Sequence, residues 1–143
     1  WYRIHWPRSR REQTMPKLVV PRRAGEPTFE LDLSASAVSS DCTYLVAPEE
    51  VDRPVRYLIT LMILLNRPEV GRYLRHFGKR KGDLLEFYAE PLRSLPLPVR
   101  LQEGRLEWVD GLLEAEERAS VERTVDRAVE QLEESETVGV VTG

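Results

Sequence analysis

The sequence predicts an α+β fold in which a small antiparallel sheet packs on a buried helix pair, with acidic helices at the C-terminal end. Three observations carry this expectation. Residues 17–20, 28–33 and 43–47 are short alternating or apolar segments bounded by Pro, Gly and small polar residues, as strands are. Residues 57–65, Tyr-Leu-Ile-Thr-Leu-Met-Ile-Leu-Leu, form an apolar run whose length and Leu and Met content favour helix over strand. Between residues 106 and 132 apolar side chains recur at helical spacing among many acids.

Taken in order, residues 2–6 alternate like a strand and residues 7–14 read as a polar loop or a single helical turn. Pro21 closes the strand at 17–20, and Ala24-Gly25-Glu26-Pro27 supplies turn chemistry, so this strand and the one at 28–33 should form a hairpin. Residues 34–42 have a loop composition, and the strand at 43–47 ends at Pro48. Asp52 is the expected cap before Pro54, a proline suited to a first helical turn. Asn66-Arg67-Pro68 is a stop, giving a helix over 54–66 buried all round. A second helix over 68–77 should place Val70, Tyr73, Leu74 and Phe77 on one face and end at Gly78. Tyr73, Phe77, Trp108 and Trp1 are expected in the core rather than as stacking platforms for bases. Gly78-Lys79-Arg80-Lys81-Gly82 reads as a mobile cationic loop, and residues 84–88 as a short strand joining the sheet from residues 2–47. The prolines of residues 91–98 impose an extended strap whose leucines can pack inward. The helical phase shifts between Glu116 and Ser120, which predicts two helices or one bent one, followed by a frayed end or short strand over 133–143. These elements divide into a core at 1–100 and an acidic helical extension at 101–143 packed on it.

A chain of 143 residues suits one domain with an appendage. Cys42 is the only cysteine, which excludes an intrachain disulfide and a thiolate metal cluster and fits a cytoplasmic protein. The central apolar run is too short for a bilayer, which needs about 20 apolar residues, so no membrane partner is expected. The start is basic and aromatic without the apolar core of a signal peptide, as in a fragment of a longer protein. The net charge of −3 conceals an asymmetry: residues 1–100 carry 17 Lys and Arg against 12 Asp and Glu, and residues 101–143 carry 4 against 12. A basic body suits a polyanion, and an acidic tail suits solvent or another protein surface.

Catalytic chemistry is not indicated. His5 and His76 have no metal-ligand spacing, so no metal site is expected. No Gly-x-Ser-x-Gly turn supports a triad of Ser39, Asp41 and His76, and no glycine-rich loop follows a strand. What remains is a set of cations: Arg8, Arg10, Arg11, Lys17, Arg22 and Arg23 in the first part of the chain, then Arg75, Lys79, Arg80 and Lys81. Phosphate binding needs Lys and Arg clustered on one face, and base reading needs a few polar side chains held at groove depth. Two ordinary solvated loops would show the same composition.

The run Trp1-Tyr2-Arg3-Ile4-His5-Trp6-Pro7-Arg8, then Pro16-Lys17-Leu18-Val19-Val20-Pro21-Arg22, Phe29-Glu30-Leu31-Asp32, residues 61–66, the basic segment at 78–82 and Leu95-Pro96-Leu97-Pro98 resembles, in order and spacing, the TaqI-like C-terminal specificity domain of adenine-specific DNA methyltransferases. The resemblance covers about residues 1–135. It implies a target recognition domain from a restriction-modification enzyme, some of which fuse methylase and nuclease in one chain. The partners it implies are double-stranded DNA and an N-terminal methyltransferase domain. That domain binds S-adenosylmethionine and methylates a flipped adenine through an Asn-Pro-Pro-Tyr type motif. This chain has neither that motif nor a glycine-rich cofactor loop, so on its own it should hold no cofactor and be catalytically inert. Lys17 and Arg22 match the family's strand motif, with Lys17 either touching phosphate or leaning on the sheet edge, and Lys79, Arg80 and Lys81 match its basic loop. Arg8, Arg10, Arg11 and Arg23 are assigned to base contacts from charge and loop position. The family's usual aromatic near Gln131-Leu132-Glu133 is missing here.

Two other functional classes are compatible with the residues. One is a protein-interaction module pairing through the acidic helices. The other is an RNA-binding specificity domain, because basic loops and aromatics do not by themselves separate duplex DNA from structured RNA.

Overall fold

The computed structural model describes residues 13–35, 41–88 and 92–142. The expected strand at 2–6 and the expected core position of Trp1 lie outside these residues. The elements run β1 (Lys17–Pro21), β2 (Arg23–Ala24), β3 (Glu30–Asp32), β4 (Cys42–Val46), α1 (Pro54–Leu65), α2 (Pro68–Phe77), β5 (Arg80–Lys81), β6 (Leu84–Glu86), β7 (Val99–Gln102), β8 (Arg105–Trp108) and α3 (Ala115–Thr142). The fold is α+β, as expected, but the strands form three small antiparallel sheets rather than one: β3-β1-β4, β2-β6-β5 and β7-β8.

In the first sheet β1 is central, with Leu18 opposite Leu31 on one side and Leu45 on the other. Leu18, Val20 and Leu45 turn one face into the core. The opposite face holds Lys17, which is 0% exposed. Its aliphatic stem covers apolar surface while the ammonium donates to the Gln13 carbonyl at 2.7 Å and pairs with Asp32 at 3.5 Å, its direct cross-strand partner. Hydrogen bonds donated by the Ser34 hydroxyl and backbone N–H, with Lys17 adding its charge, hold Asp32 below the usual carboxylate range against the opposing effect of burial. A carboxyl whose folded pKa is depressed stabilises the fold fully above its unfolded value and loses that contribution as pH falls through the folded value. The stability gap between wild type and Asp32→Asn, read from urea unfolding, should therefore be present at neutral pH and close as pH falls below about 4. A gap that does not change with pH would contradict this role for Asp32.

Helix α1 supplies the centre of the core through Tyr57, Leu58, Ile59, Leu61, Leu64 and Leu65, as the apolar run requires. Its start differs from expectation. Arg53 holds the N-cap position without a side-chain hydrogen bond, so Pro54 sets the first turn. Asp52 instead faces the β7-β8 turn, its N–H donating to the Gly104 carbonyl at 3.0 Å and its carboxylate 3.6 Å from Arg105. Asn66 does more than stop the helix: its side chain accepts from the Phe29 N–H at 2.7 Å and donates to the Phe29 carbonyl at 2.8 Å. That pair satisfies both backbone groups of Phe29 just ahead of β3. The ring of Phe29 then meets Phe87 edge-on at 5.9 Å, and Leu92, Leu95 and Leu97 of the strap pack inward as expected.

The region after the strap departs furthest from the helical expectation. Residues 106–113 are not helical: β8 pairs with β7, Leu101 opposite Leu106 and Val99 opposite Trp108. Glu103 and Gly104, at φ 49° and 80°, make the two-residue turn that such a hairpin favours. A division at residue 100 therefore falls inside β7. Of the two helices or one bent one expected, the structure has a single helix, α3, of 28 residues, which starts only at Ala115 and continues through the segment expected as a short strand or frayed end. It rests on the body through Val125, with Val121 beside it. Its acids answer cations of the body: Asp126 meets Arg56 at 2.7 Å and Glu117 meets Arg67 at 3.2 Å. Trp108 is half-buried against the same helix and donates its indole N–H to Glu122 at 2.7 Å. The opposed charges of the two parts of the chain thus meet at this seam. No helix among the described residues is long and apolar enough to cross a membrane.

Candidate nucleic-acid interface

The sheet β2-β6-β5 gathers cations that are far apart in the chain. Strand β6 is its centre, with Arg23 opposite Glu86 on one edge and Arg80 and Lys81 opposite Leu85 and Leu84 on the other. Neighbouring strands lie about 4.8 Å apart, so the two cationic edges are separated by roughly 10 Å, on the scale of the ~12 Å major groove. Cross-strand partners share a face, so Arg23, Glu86, Leu84 and Lys81 lie on one side; Arg80 shares the other side with Leu85, which enters the core while Arg80 stays exposed at the sheet edge.

The segment 78–82 is therefore not a free loop. Arg80 and Lys81 are strand residues, and Gly82, at φ 62°, begins the turn back into β6. The Glu86 N–H donates to the Lys79 carbonyl at 3.0 Å, extending the ladder by one residue. Lys79, Arg80 and Lys81 are all exposed and have no ion pair with a described residue. A paired hairpin presents its charges with less ordering on binding than an unpaired loop would.

The remaining candidates surround this hairpin or stand apart from it. Arg23 reaches Glu86 and the Tyr88 hydroxyl, both at 3.4 Å, and Arg22 lies over the Tyr88 ring with its guanidinium carbon 5.9 Å from the centroid. The Phe87 N–H donates to the Arg22 carbonyl at 2.8 Å, which seats the Arg22-Arg23 pair against β6. Arg75, on the last turn of α2, bridges the Gly25 carbonyl and Glu26 just beyond β2. These are exposed ion pairs of the kind that contribute little to stability, so a phosphate can replace the carboxylate at small cost. Lys17 belongs elsewhere. Fully buried and turned onto carbonyls and Asp32, it offers no face to a phosphate and acts as a structural lysine. Arg8, Arg10 and Arg11 lie outside the described residues.

Three participants carried no functional assignment in the sequence. Tyr88 was readable only as the end of a strand. Phe77 has the helical spacing of a core residue after Val70 and Leu74, yet it is 70% exposed, because α2 buries Val70, Gly71 and Leu74 and its final turn passes the packed stretch. Leu84, 44% exposed, pairs with Lys81 across the hairpin turn. No group of three or more His, Cys, Asp and Glu among the described residues could hold a metal ion.

A separate cleft of about 540 Å³ opens between α1, the β7-β8 hairpin and α3, lined in part by Arg53, Arg56, Tyr57, Arg105 and Trp108. The Arg56–Asp126 and Arg105–Asp52 pairs already neutralise two of its three arginines. Neither this cleft nor the connection from β4 to α1, which contains no glycine, has the glycine-rich turn that a dinucleotide-like cofactor needs. Compared with protein-family models and with curated proteins, the chain finds no match in either.

Proposed function

We propose that this chain is the sequence-specific DNA target recognition domain of a site-specific adenine (N-6) DNA methyltransferase of a restriction-modification system, working in the cytoplasm. The observation that supports the reading is the convergence of Arg22, Arg23, Arg75, Lys79, Arg80 and Lys81 around one small sheet. Lys79, Arg80 and Lys81 anchor phosphates from the β5 edge, while Arg22 and Arg23 fix register from the β2 edge. Base contacts fall to Arg23 and to the arginine-rich segment of Arg8, Arg10 and Arg11.

The chemistry belongs to the domain that precedes this one in the parent enzyme. The resemblance assigns S-adenosylmethionine and the methyl transfer to a flipped adenine to that partner, whose Asn-Pro-Pro-Tyr type motif this sequence lacks. This chain supplies grip and site choice. Methylation of a duplex library with S-adenosylmethionine, by the enzyme carrying this chain and by a version lacking it, tests the assignment. The intact enzyme should mark one adenine motif and the truncated one should lose the marking. Retention of both rate and sequence preference would overturn the proposal and direct attention to the acidic face of α3 as a protein contact.

A further inference from the structure

Phe77 is the last residue of α2, and the cations of the hairpin begin two residues later. Its ring lies 4.9 Å from that of Tyr73 and 5.1 Å from that of His76, so three rings form a ledge on the final turn of the helix. Gly78 joins this ledge to the hairpin without slack. Its N–H donates to the Leu74 carbonyl at 2.8 Å, and a Cβ at Gly78 would stand 2.6 Å from that same oxygen. Gly78 therefore fixes how the hairpin leaves the helix end, with the first cation two residues from the ring.

A large ring left 70% exposed, two residues from three exposed cations, is poorly served by water alone. The counter-surface that suits both is a π-face carried on a phosphate chain, in which phosphates meet Lys79, Arg80 and Lys81 while an aromatic heterocycle meets Phe77. A base inside an intact duplex stack offers only its edge. A base that has left the stack offers its face, and stacking on an aromatic side chain tolerates any base. Adding an unstacking step to a phosphate grip is a known route to bent or opened nucleic acid.

We propose that Phe77 stacks on an unpaired, unstacked base of the DNA held by the β5-β6 hairpin. The inference rests on the DNA-binding reading above and adds to it a preference for locally opened duplex. Two short duplexes of the same sequence, one fully paired and one carrying a single unpaired central adenine, separate the two claims when binding to the full chain is followed by fluorescence anisotropy. Wild type should bind the interrupted duplex roughly tenfold more tightly, the worth of one base-aromatic stack. Phe77→Ala should erase that preference without changing affinity for the paired duplex, and Phe77→Trp should keep it.

Equal affinity of wild type for the two duplexes, a preference that survives in Phe77→Ala, or a Phe77→Ala loss that is equal on both duplexes would each overturn the stacking role. In those cases DNA grip still stands if affinity for the paired duplex falls when Lys79, Arg80 and Lys81 are removed. Absence of binding to either duplex would overturn both the stacking role and the DNA-binding reading.

Discussion

Replacing Lys79, Arg80 and Lys81 together with Ala is expected to weaken duplex binding on the order of a hundredfold at ~0.15 M salt, and to reduce the slope of log affinity against log salt by roughly 2 to 3. The size follows from counterion release, in which each neutralised phosphate contributes nearly one unit of slope. The fold should survive, because the three side chains are exposed and surface changes of this kind usually move stability by no more than about 0.5 kcal/mol. Binding with an unchanged slope would remove the hairpin from the interface. The same triple replacement should leave urea unfolding close to wild type, which separates lost contact from lost structure.

The second large effect concerns the hairpin on which α1 and α3 meet. Gly104→Ala should destabilise the chain by about 3 kcal/mol, combining left-handed strain of roughly 1–2 kcal/mol with overpacking of roughly 1–3 kcal/mol. Gly104 holds φ 80°, and a Cβ there would lie 2.5 Å from the Glu50 carbonyl and 2.9 Å from Asp52 Oδ1. The exposed Asp52 carboxylate can swing aside, but the Glu50 carbonyl is backbone and does not yield easily, since the Gly104 carbonyl also accepts the Asp52 N–H that leads into α1. Gly82 is the matched control. It holds φ 62° with nothing within 4 Å of where a Cβ would stand, so Gly82→Ala should show the conformational strain alone, about 1 kcal/mol. Equal shifts in urea midpoint for the two variants would contradict the packing assigned to the Gly104 turn.

The parts of the fold that the sequence makes legible are those with a local physical signal. The apolar run at 57–65 admits only a central position, Pro54 and Pro68 open the two helices, and alternation in 28–33 with short apolar segments in 17–20 and 43–47 marks β3, β1 and β4. Strand β5 has no such signal. Three consecutive cations carry no apolar alternation, and only the backbone pairing of Arg80 and Lys81 with Leu85 and Leu84 makes them a strand. The β7-β8 hairpin did leave a trace, with Gly104 between the alternating Val99-Arg100-Leu101 and Leu106-Glu107-Trp108. Trp108 also fits a helical spacing with Leu112, so a period of 3.6 competes there with the period of 2.

The candidate site was legible as a set of residues but not as an arrangement. The pairing of Arg23 with Glu86 joins segments on either side of both α1 and α2, and no local pattern announces it. Lys17 matched a basic motif by type, yet its place opposite Asp32 in an antiparallel register turns it from a contact into a buried support. Phe77 shows the converse: helical spacing assigns it inward, and the end of packing along α2 leaves it outside.

Amide hydrogen exchange of the chain with and without duplex DNA tests most directly where the nucleic acid sits. Slowing confined to residues 22–24 and 79–86, with α3 unaffected, is the result that the cationic β2-β6-β5 sheet predicts. Slowing confined to α3, or none at any described strand of that sheet, would contradict it.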